Sequence, residues 1–142
     1  MIPKTMKAVV LSEPTAAEQV VLSEVPVPQV RPGWVLVKVK AFGLNHSEQL
    51  LRLREIQADF LAGQKVAALM GGMGRSFNGS YAQYALLPES HVFSIETHLS
   101  WPEMAAVPET YFTAWGSLLE GLKLWEEDTL LVRGGTCSLG YA

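Results

Sequence analysis

The sequence predicts a mainly β fold with some α-helix, in which a small barrel or sandwich is followed by helices. Three observations predict it. Short apolar segments rich in β-branched residues follow one another through the first hundred residues, separated by turn residues. The hydrophobic pattern then takes a helical period between residues 100 and 122. Near the C-terminal end, one more apolar stretch runs into a glycine-rich turn.

The strand predictions rest on apolar segments with period-two alternation. Val35, Val37 and Val39 alternate with residues that become increasingly polar, so one face of this strand is apolar and the other faces water. Proline-rich sequence between residues 26 and 33 predicts an extended loop before it. The predicted strands cover residues 6–12, 18–26, 34–45, 64–70, 80–88 and 91–95.

The helix predictions rest on apolar spacing and capping signals. Leucines at helical spacing predict a helix over residues 45–55. Ser100 followed three residues later by Glu103 predicts a capping box, and we expect that helix to end at Pro108. A second apolar stripe predicts a helix over 109–122, and "TLLVR" at 129–133 predicts one more strand.

Composition limits the function classes. The chain has 142 residues, 49% hydrophobic and 18% charged, with a net charge of −3. This balance gives no electrostatic case for nucleic acid or an anionic membrane as partner. The single cysteine, Cys137, excludes an internal disulfide and a thiolate cluster for zinc. The N-terminus lacks the features of a signal peptide and no stretch has the length of a membrane span, so we expect a cytoplasmic protein.

The turn "GGTCSLG" at 134–140 raises the possibility of a nucleotide site. A strand, a glycine-rich turn and a helix together cradle a pyrophosphate, because glycines allow close backbone approach and the helix supplies oriented N–H groups. The usual fingerprint has glycines at positions i, i+2 and i+5. Counting back from Gly140, Cys137 occupies the middle position. Taken alone, the segment is open to two interpretations, a plain turn or a nucleotide-binding turn.

Several segments have the order and the residue patterns of one protein family. The most distinctive are "KVKAFGLNHSE" at 38–48 and "YFTAWGSL" at 111–118, together with "GQKVAALMGG", "GSYAQYALLP" and the final glycine turn. With these segments the chain resembles the medium-chain dehydrogenase/reductase superfamily, and within it the zinc-independent quinone oxidoreductases that use NADPH. The resemblance implies a GroES-like β-barrel domain at 1–127, including the helices at 100–122, and the start of a Rossmann domain at 128–142.

The resemblance also implies site residues. It makes Asn45 the catalytic residue, a polar group near the nicotinamide and the substrate carbonyl; the alternative is that Asn45 caps the following helix. Zinc alcohol dehydrogenases have a cysteine where this chain has Asn45, so we expect no metal. It places the Thr113 hydroxyl near the nicotinamide, with bonding to its own helix backbone as the alternative. The residues that shape the phosphate turn are Gly134, Gly135, Ser138, Leu139 and Gly140.

Other candidate residues receive structural interpretations. His46, His91 and His98 have no neighbouring carboxylate motif in the sequence, so all three are interpreted as surface histidines. Tyr81 and Tyr84 are either near a substrate cleft or in cross-strand packing, and we favour packing.

The chain differs from its family in length. The stretch from Glu55 to Phe60 looks too short for the barrel strands expected there, which implies an internal deletion, and the Rossmann unit stops after its first turn. We therefore expect a quinone oxidoreductase-like chain that is inactive by itself towards quinones or polarised alkenes. The alternative is a non-catalytic GroES-like binding or assembly module. An orphan strand at 129–133 would expose backbone groups and apolar side chains, which predicts a homodimer through exposed strands.

Overall fold

The fold is known from a computed structural model that describes residues 1–10, 17–43, 60–69, 71–74 and 76–142. The helix predicted over 45–55, with Asn45 and His46, lies outside the described residues. The join predicted to be shortened lies outside them as well, except for Phe60.

The described residues contain short strands first and helices afterwards, in the order the sequence predicts. The strands are β1 (Thr5–Val9), β2 (Leu22–Pro26), β3 (Trp34–Lys38), β4 (Val66–Ala68), β5 (Tyr84–Pro88) and β6 (Val92–Ser94). The helices are α1 (Trp101–Trp115) and α2 (Ser138–Tyr141), with 3₁₀ turns at Ala17–Gln19 and Glu89–His91 and a π-helical turn at Gly116–Gly121.

The strands pair as three antiparallel ladders. β1 pairs with β2, β3 with β5, and β4 with β6. In the second ladder Val35 lies opposite Leu87 and Val37 lies opposite Ala85, so the alternating valines of β3 face apolar residues of β5. The period-two pattern in the sequence therefore corresponds to a real packing face.

Gln83, just before β5, joins two of these ladders. Its side-chain Oε1 accepts a hydrogen bond from the Lys7 backbone N–H at 2.9 Å. Its own backbone N–H donates to the Lys7 carbonyl at 3.1 Å, and its carbonyl accepts from the Val39 N–H at 3.0 Å. One residue thus connects β1 to the segment that follows β3.

The hydrophobic core is small and lies on the β3–β5 ladder. Its most buried residues are Ala85, Leu87 and Val92, and Leu87 is only 2% exposed. Partly buried apolar residues pack around them, namely Val35, Val37, Val39, Phe60, Val66, Ala68, Met73 and Phe77. None of the described polar or charged side chains is buried, so burial of apolar area provides the stability of this region.

Helix α1 starts at the capping box that the sequence predicts. The Ser100 backbone N–H donates to Glu103 Oε2 at 2.8 Å, and the Ser100 hydroxyl donates to the same oxygen at 2.6 Å. These bonds lower the pKa of the Glu103 carboxyl, because the charged form accepts them.

Pro108 does not end the helix, and that prediction was wrong. It lies inside α1, which continues for seven residues to Trp115 and then into the π-helical turn. Proline removes one backbone donor from a helix. Here Pro108 faces an apolar groove beside strands β4 and β6, so tertiary packing stabilises a helix that local propensity would interrupt.

The strand predicted at 129–133 is also absent from the described structure. Residues 129–133 have no regular secondary structure, and Leu131 is 91% exposed. A strand is stabilised by its ladder to a neighbour, and no neighbouring strand pairs with this segment. The segment therefore has the apolar pattern of a strand, but no neighbouring strand pairs with it.

Candidate functional site

The glycine-rich segment forms a tight turn that leads into α2. Gly134 has a φ of +84°, a conformation that residues with a Cβ rarely adopt. The Cys137 backbone N–H donates to the Gly134 carbonyl at 3.1 Å and closes the turn. Helix α2 begins directly afterwards, and its first N–H groups have no partner within the helix.

Gly140 allows α2 to lie against this turn. A Cβ atom at Gly140 would lie 2.6 Å from both the Gly134 carbonyl oxygen and the Gly135 Cα. Contacts this short with backbone atoms leave no room for any side chain. The last glycine of the segment therefore serves close packing between the turn and the helix, as the third glycine of a dinucleotide fingerprint does.

Cys137 takes the position of the missing middle glycine and caps α2. Its Sγ accepts a hydrogen bond from the Gly140 N–H at 3.4 Å, and its carbonyl accepts from the Tyr141 N–H at 3.1 Å. The thiol is exposed. The departure from the fingerprint thus leaves the turn and the helix start intact, although the Cys137 side chain projects where backbone is usually bare.

Helix α1 presents two different faces. One face, with Met104, Pro108, Tyr111 and Trp115, lines an open apolar groove of about 340 Å³ whose other wall includes Ala67, Leu69 and Phe93. The other face carries a polar stripe, which we define as Glu109 and Thr113 on α1 and Ser117 on the π-helical turn, at intervals of four residues. Thr113 lies nine residues after Met104, about half a turn around the helix axis.

The Thr113 hydroxyl is bonded to its own helix. Its Oγ1 donates to the Glu109 carbonyl at 2.7 Å, and Ser117 Oγ repeats the pattern towards the Thr113 carbonyl at 2.7 Å. This is the alternative interpretation of Thr113 made from the sequence. The hydrogen bond to Glu109 uses the hydroxyl proton of Thr113 and not its oxygen lone pairs. The half-buried hydroxyl can therefore still accept a hydrogen bond from a ligand.

The structure brings part of the expected site together. Helix α2 packs against α1, so the phosphate-type turn at Gly134, Gly135, Ser138, Leu139 and Gly140 lies beside the helix that carries Thr113. Asn45 lies outside the described residues. The tight turn at Gly134 and the close packing at Gly140 match the structural glycine roles of a dinucleotide fingerprint, whereas Cys137 occupies the position where backbone approaches the pyrophosphate. The backbone N–H groups at the start of α2 are the groups that fit a pyrophosphate.

Nothing in the sequence pattern indicates the environment of Glu109. Its side chain is half-buried and, among the described residues, forms no hydrogen bond or ion pair. Burial raises the pKa of this carboxyl above its usual value. The neighbouring "PETYFTAW" sequence marks a helix, but it does not show which side of the helix is desolvated.

His91 is the second residue that sequence interpretation missed, because it is not a surface histidine. Its ring lies under Gly71, where an added Cβ would come within 2.4 Å of His91 Cε1. Its Nδ1 is buried and, among the described residues, has no hydrogen-bond partner. Burial lowers the pKa of the imidazole, because the charged form loses hydration. His98 is exposed, as expected, whereas His46 lies outside the described residues.

Tyr81 and Tyr84 lie on the strand side of the molecule. Tyr81 packs against Phe42 with ring centroids 4.8 Å apart, and Tyr84 lies opposite Lys38 in the β3–β5 ladder. Both positions correspond to the packing interpretation.

Across the residues that the structure describes, no cluster of three or more His, Cys, Asp or Glu side chains is arranged to hold a metal ion. In the same residues, no helix combines the length and apolar character needed to cross a bilayer.

Comparison with known proteins places this geometry in context. No family model matches the chain. A quinone oxidoreductase from Lama guanicoe is 28% identical over 159 residues, covering 98% of this chain and 48% of the relative. The human quinone oxidoreductase gives the same identity and coverage. The aligned stretch is longer than the 142-residue chain, so the relative has residues within it that this chain lacks.

Solved structures show the same fold. An alcohol dehydrogenase superfamily protein from Novosphingobium aromaticivorans superposes with a TM-score of 0.77 at 27% identity, over 96% of this chain and 48% of that one. This chain is quinone oxidoreductase-like and has the medium-chain dehydrogenase/reductase fold. The resemblance and the fold class expected from the sequence are thereby confirmed. The chain spans about half the length of the relatives it matches.

Proposed function

We propose that this quinone oxidoreductase-like fold serves metal-free hydride transfer from NADPH to a quinone or a polarised alkene. The observation that carries the proposal is the tight glycine turn at Gly134–Gly140, which leads into a helix packed against α1. Relatives matched over 98% of the chain are called quinone oxidoreductases, which supports the substrate class.

The proposed roles of the residues follow from their chemistry. The backbone N–H groups around Ser138 and Leu139 would bind the pyrophosphate, Gly134 and Gly135 would allow its close approach, and Gly140 would let the helix pack against the turn. Thr113 would accept a hydrogen bond beside the nicotinamide. Asn45 would donate its amide N–H to the substrate carbonyl, where negative charge develops. When bound, NADPH supplies the hydride.

The absence of metal from the reaction also belongs to this proposal. An asparagine at position 45 offers no thiolate to zinc, so the amide of Asn45 would take the polarising role. The domain boundary between residues 127 and 128 and the cytoplasmic location are predictions as well.

The 142 residues by themselves contribute one phosphate turn. A complete dinucleotide site draws on two βαβαβ halves, so we expect these residues alone to turn over little or no NADPH. A second candidate function is a GroES-like binding or assembly module. It is favoured by the exposed apolar side chains after α1, among them Leu122, Trp125 and Leu131, which are 64%, 76% and 91% exposed.

An NADPH titration followed by tryptophan fluorescence tests the enzyme proposal. Trp115 lies on α1, the helix that carries Thr113, and the other reporters are Trp34, Trp101 and Trp125. Saturable quenching in the micromolar range, weaker with NADH, supports a usable NADPH site. No saturation up to millimolar NADPH contradicts cofactor binding by this chain and favours the binding module. Oxidation of NADPH with a simple quinone, measured against a blank, then shows whether binding leads to turnover.

A further inference from the structure

We propose that the apolar face of α1 is an interface between two copies of this chain, which pack their α1 helices antiparallel about a two-fold axis at the level of Thr113. The apolar face that lines the groove continues beyond it, with side chains at intervals of three or four residues through α1 and the π-helical turn. We call these side chains the α1 seam; they are Met104, Pro108, Tyr111, Trp115, Leu119 and Leu122. Such spacing is typical of a helix face that packs on a second helix.

The α1 seam is only partly covered by its own chain. On one side it faces the groove wall that β4 and β6 provide. Tyr111 and Trp115, at its centre, are nevertheless 54% and 49% exposed, and Leu119 and Leu122 at its far end are exposed as well. A continuous apolar surface of this kind marks a place where a partner binds.

The α1 seam is self-complementary, which a two-fold interface requires. In an antiparallel pair centred on Thr113, residues equally far before and after that position lie opposite each other. Tyr111 then meets Trp115 of the second copy, and Met104 meets Leu122 of the second copy. Two aromatic anchors from each copy therefore lie at the centre of the contact, where the residues that dominate binding are usually found.

The charges at the two ends of the α1 seam are complementary in the same register. Glu103 lies just before the seam and Lys123 just after it, so an antiparallel pair places them opposite each other. The helix cap uses only Oε2 of Glu103, which leaves Oε1 free to accept from a lysine. Lys65 also lies at the first end, with Nζ 5.8 Å from the centre of the Trp101 ring, and acidic residues 126–128 follow the second end. A parallel pair would bring like charges together instead, which favours the antiparallel one.

The exposed part of the α1 seam supplies a large share of the area that an interface needs. A fully buried Tyr or Trp side chain covers about 150–250 Å². The exposed halves of Tyr111 and Trp115 in two copies therefore offer roughly 300–500 Å², against the ~1,000 Å² that a specific interface buries in total. Leu119, Leu122 and Trp125 are exposed around them and offer further apolar area.

Tyr111→Glu tests the α1 seam, because it places a charge at the centre of the contact, on a side chain that is half exposed in the single chain. Ala106→Glu is the matched control, with the same charge at an exposed position of α1 about half a turn away from the seam. Analytical ultracentrifugation in the micromolar range gives the dimer dissociation constant. We expect it to rise at least about thirtyfold in Tyr111→Glu, as for the loss of an interface hot spot. In Ala106→Glu it should stay within about twofold of wild type. Far-UV circular dichroism checks that both variants keep their helix.

The antiparallel register is tested separately, with the α1 seam left unchanged. A nitroxide is attached to Glu120→Cys in a Cys137→Ser chain, and this chain is mixed with a ¹⁵N-labelled Cys137→Ser chain that carries no nitroxide. Glu120 and Ala106 are both exposed, and they lie equally far from Thr113 on opposite sides of it. We expect the nitroxide to broaden the amide resonance of Ala106 in the ¹⁵N-labelled copies.

Three outcomes would overturn the proposal. A wild-type monomer throughout the micromolar range excludes a second copy as the occupant of this face. A dimer with an unchanged dissociation constant in Tyr111→Glu forms elsewhere on the chain, for example through residues 129–133. Broadening at Glu120 in place of Ala106 shows a parallel pair. None of these measurements involves NADPH or a quinone, so the proposed function is tested independently.

Discussion

At the scale of single residues, partial burial changes the pKa of two side chains. Glu109 and His91 are both partly desolvated, and among the described residues neither the Glu109 carboxylate nor His91 Nδ1 has a hydrogen-bond partner. The carboxyl sits on a helix beside the proposed cofactor turn, whereas the imidazole lies under Gly71 in the strand region. We therefore assign a structural, pH-sensitive role to His91.

Stability should decrease as the pH falls through the histidine range, because of His91. Its pKa is lowered from 6.5 in the folded chain, so below that value the unfolded chain binds protons more readily. The stability contributed by neutral His91 is therefore present above about pH 6.5 and decreases as the pH falls towards the folded-state pKa. Thermal melts at several pH values check this. His91→Phe should flatten the decrease in Tm, and exposed His98→Gln should not; an equal slope in His91→Phe would contradict the role of His91.

At the scale of elements, sequence patterns succeeded where the determining interaction is local. The capping box at Ser100 and Glu103 involves residues three apart, and the alternation of Val35 and Val37 reports one strand face. The patterns failed at Pro108 and at residues 129–133, where packing against a groove and the lack of a neighbouring strand decide the outcome. The glycine turn of the site could be predicted for the same local reason, whereas the burial of Glu109 depends on which face of α1 is covered.

The contact between α2 and the glycine turn can be tested with two alanine variants. Gly140→Ala places a Cβ 2.6 Å from two backbone atoms, so α2 must move away from the turn. Gly135→Ala meets only the Val132 side chain, at 3.9 Å, and is the matched control. We expect Gly140→Ala to lose the helical Cα chemical shifts of residues 138–141 and the slowed amide exchange of Tyr141. Gly135→Ala should keep both, and retention in Gly140→Ala would show that the turn is looser than described.

At the scale of the whole molecule, the chain exposes more surface than a compact protein of its mass. Its accessible surface is 11412 Å², whereas a compact monomer of 15.6 kDa exposes roughly 7,200 Å². A standard protein interface buries about 1,600 Å² in total, so the excess is large enough for one or more interfaces. Much of the exposed apolar area follows α1 in the chain, from Leu119 to Tyr141.

We expect this excess to cause association of the isolated chain. Light scattering in the micromolar range should give at least twice the 15.6 kDa of one chain, as expected for the homodimer that the sequence predicts. Leu131→Glu, which places a charge on the most exposed leucine of the segment after α1, should shift the chain towards a monomer. Ala106→Glu, at an exposed position within α1, is the control. A wild-type monomer at these concentrations would contradict the homodimer.

The hydrogen bonds around Gln83 have a consequence for the order in which the chain folds. They bind Lys7 to a residue 76 positions later. During synthesis the β1–β2 hairpin leaves the ribosome long before Gln83 exists, and an isolated two-stranded hairpin is at best marginally stable. The N-terminal strands therefore remain without their later hydrogen-bond partners until Gln83 has been synthesised. Contacts of such long range slow folding and lengthen the time during which unpaired edges can meet another nascent chain.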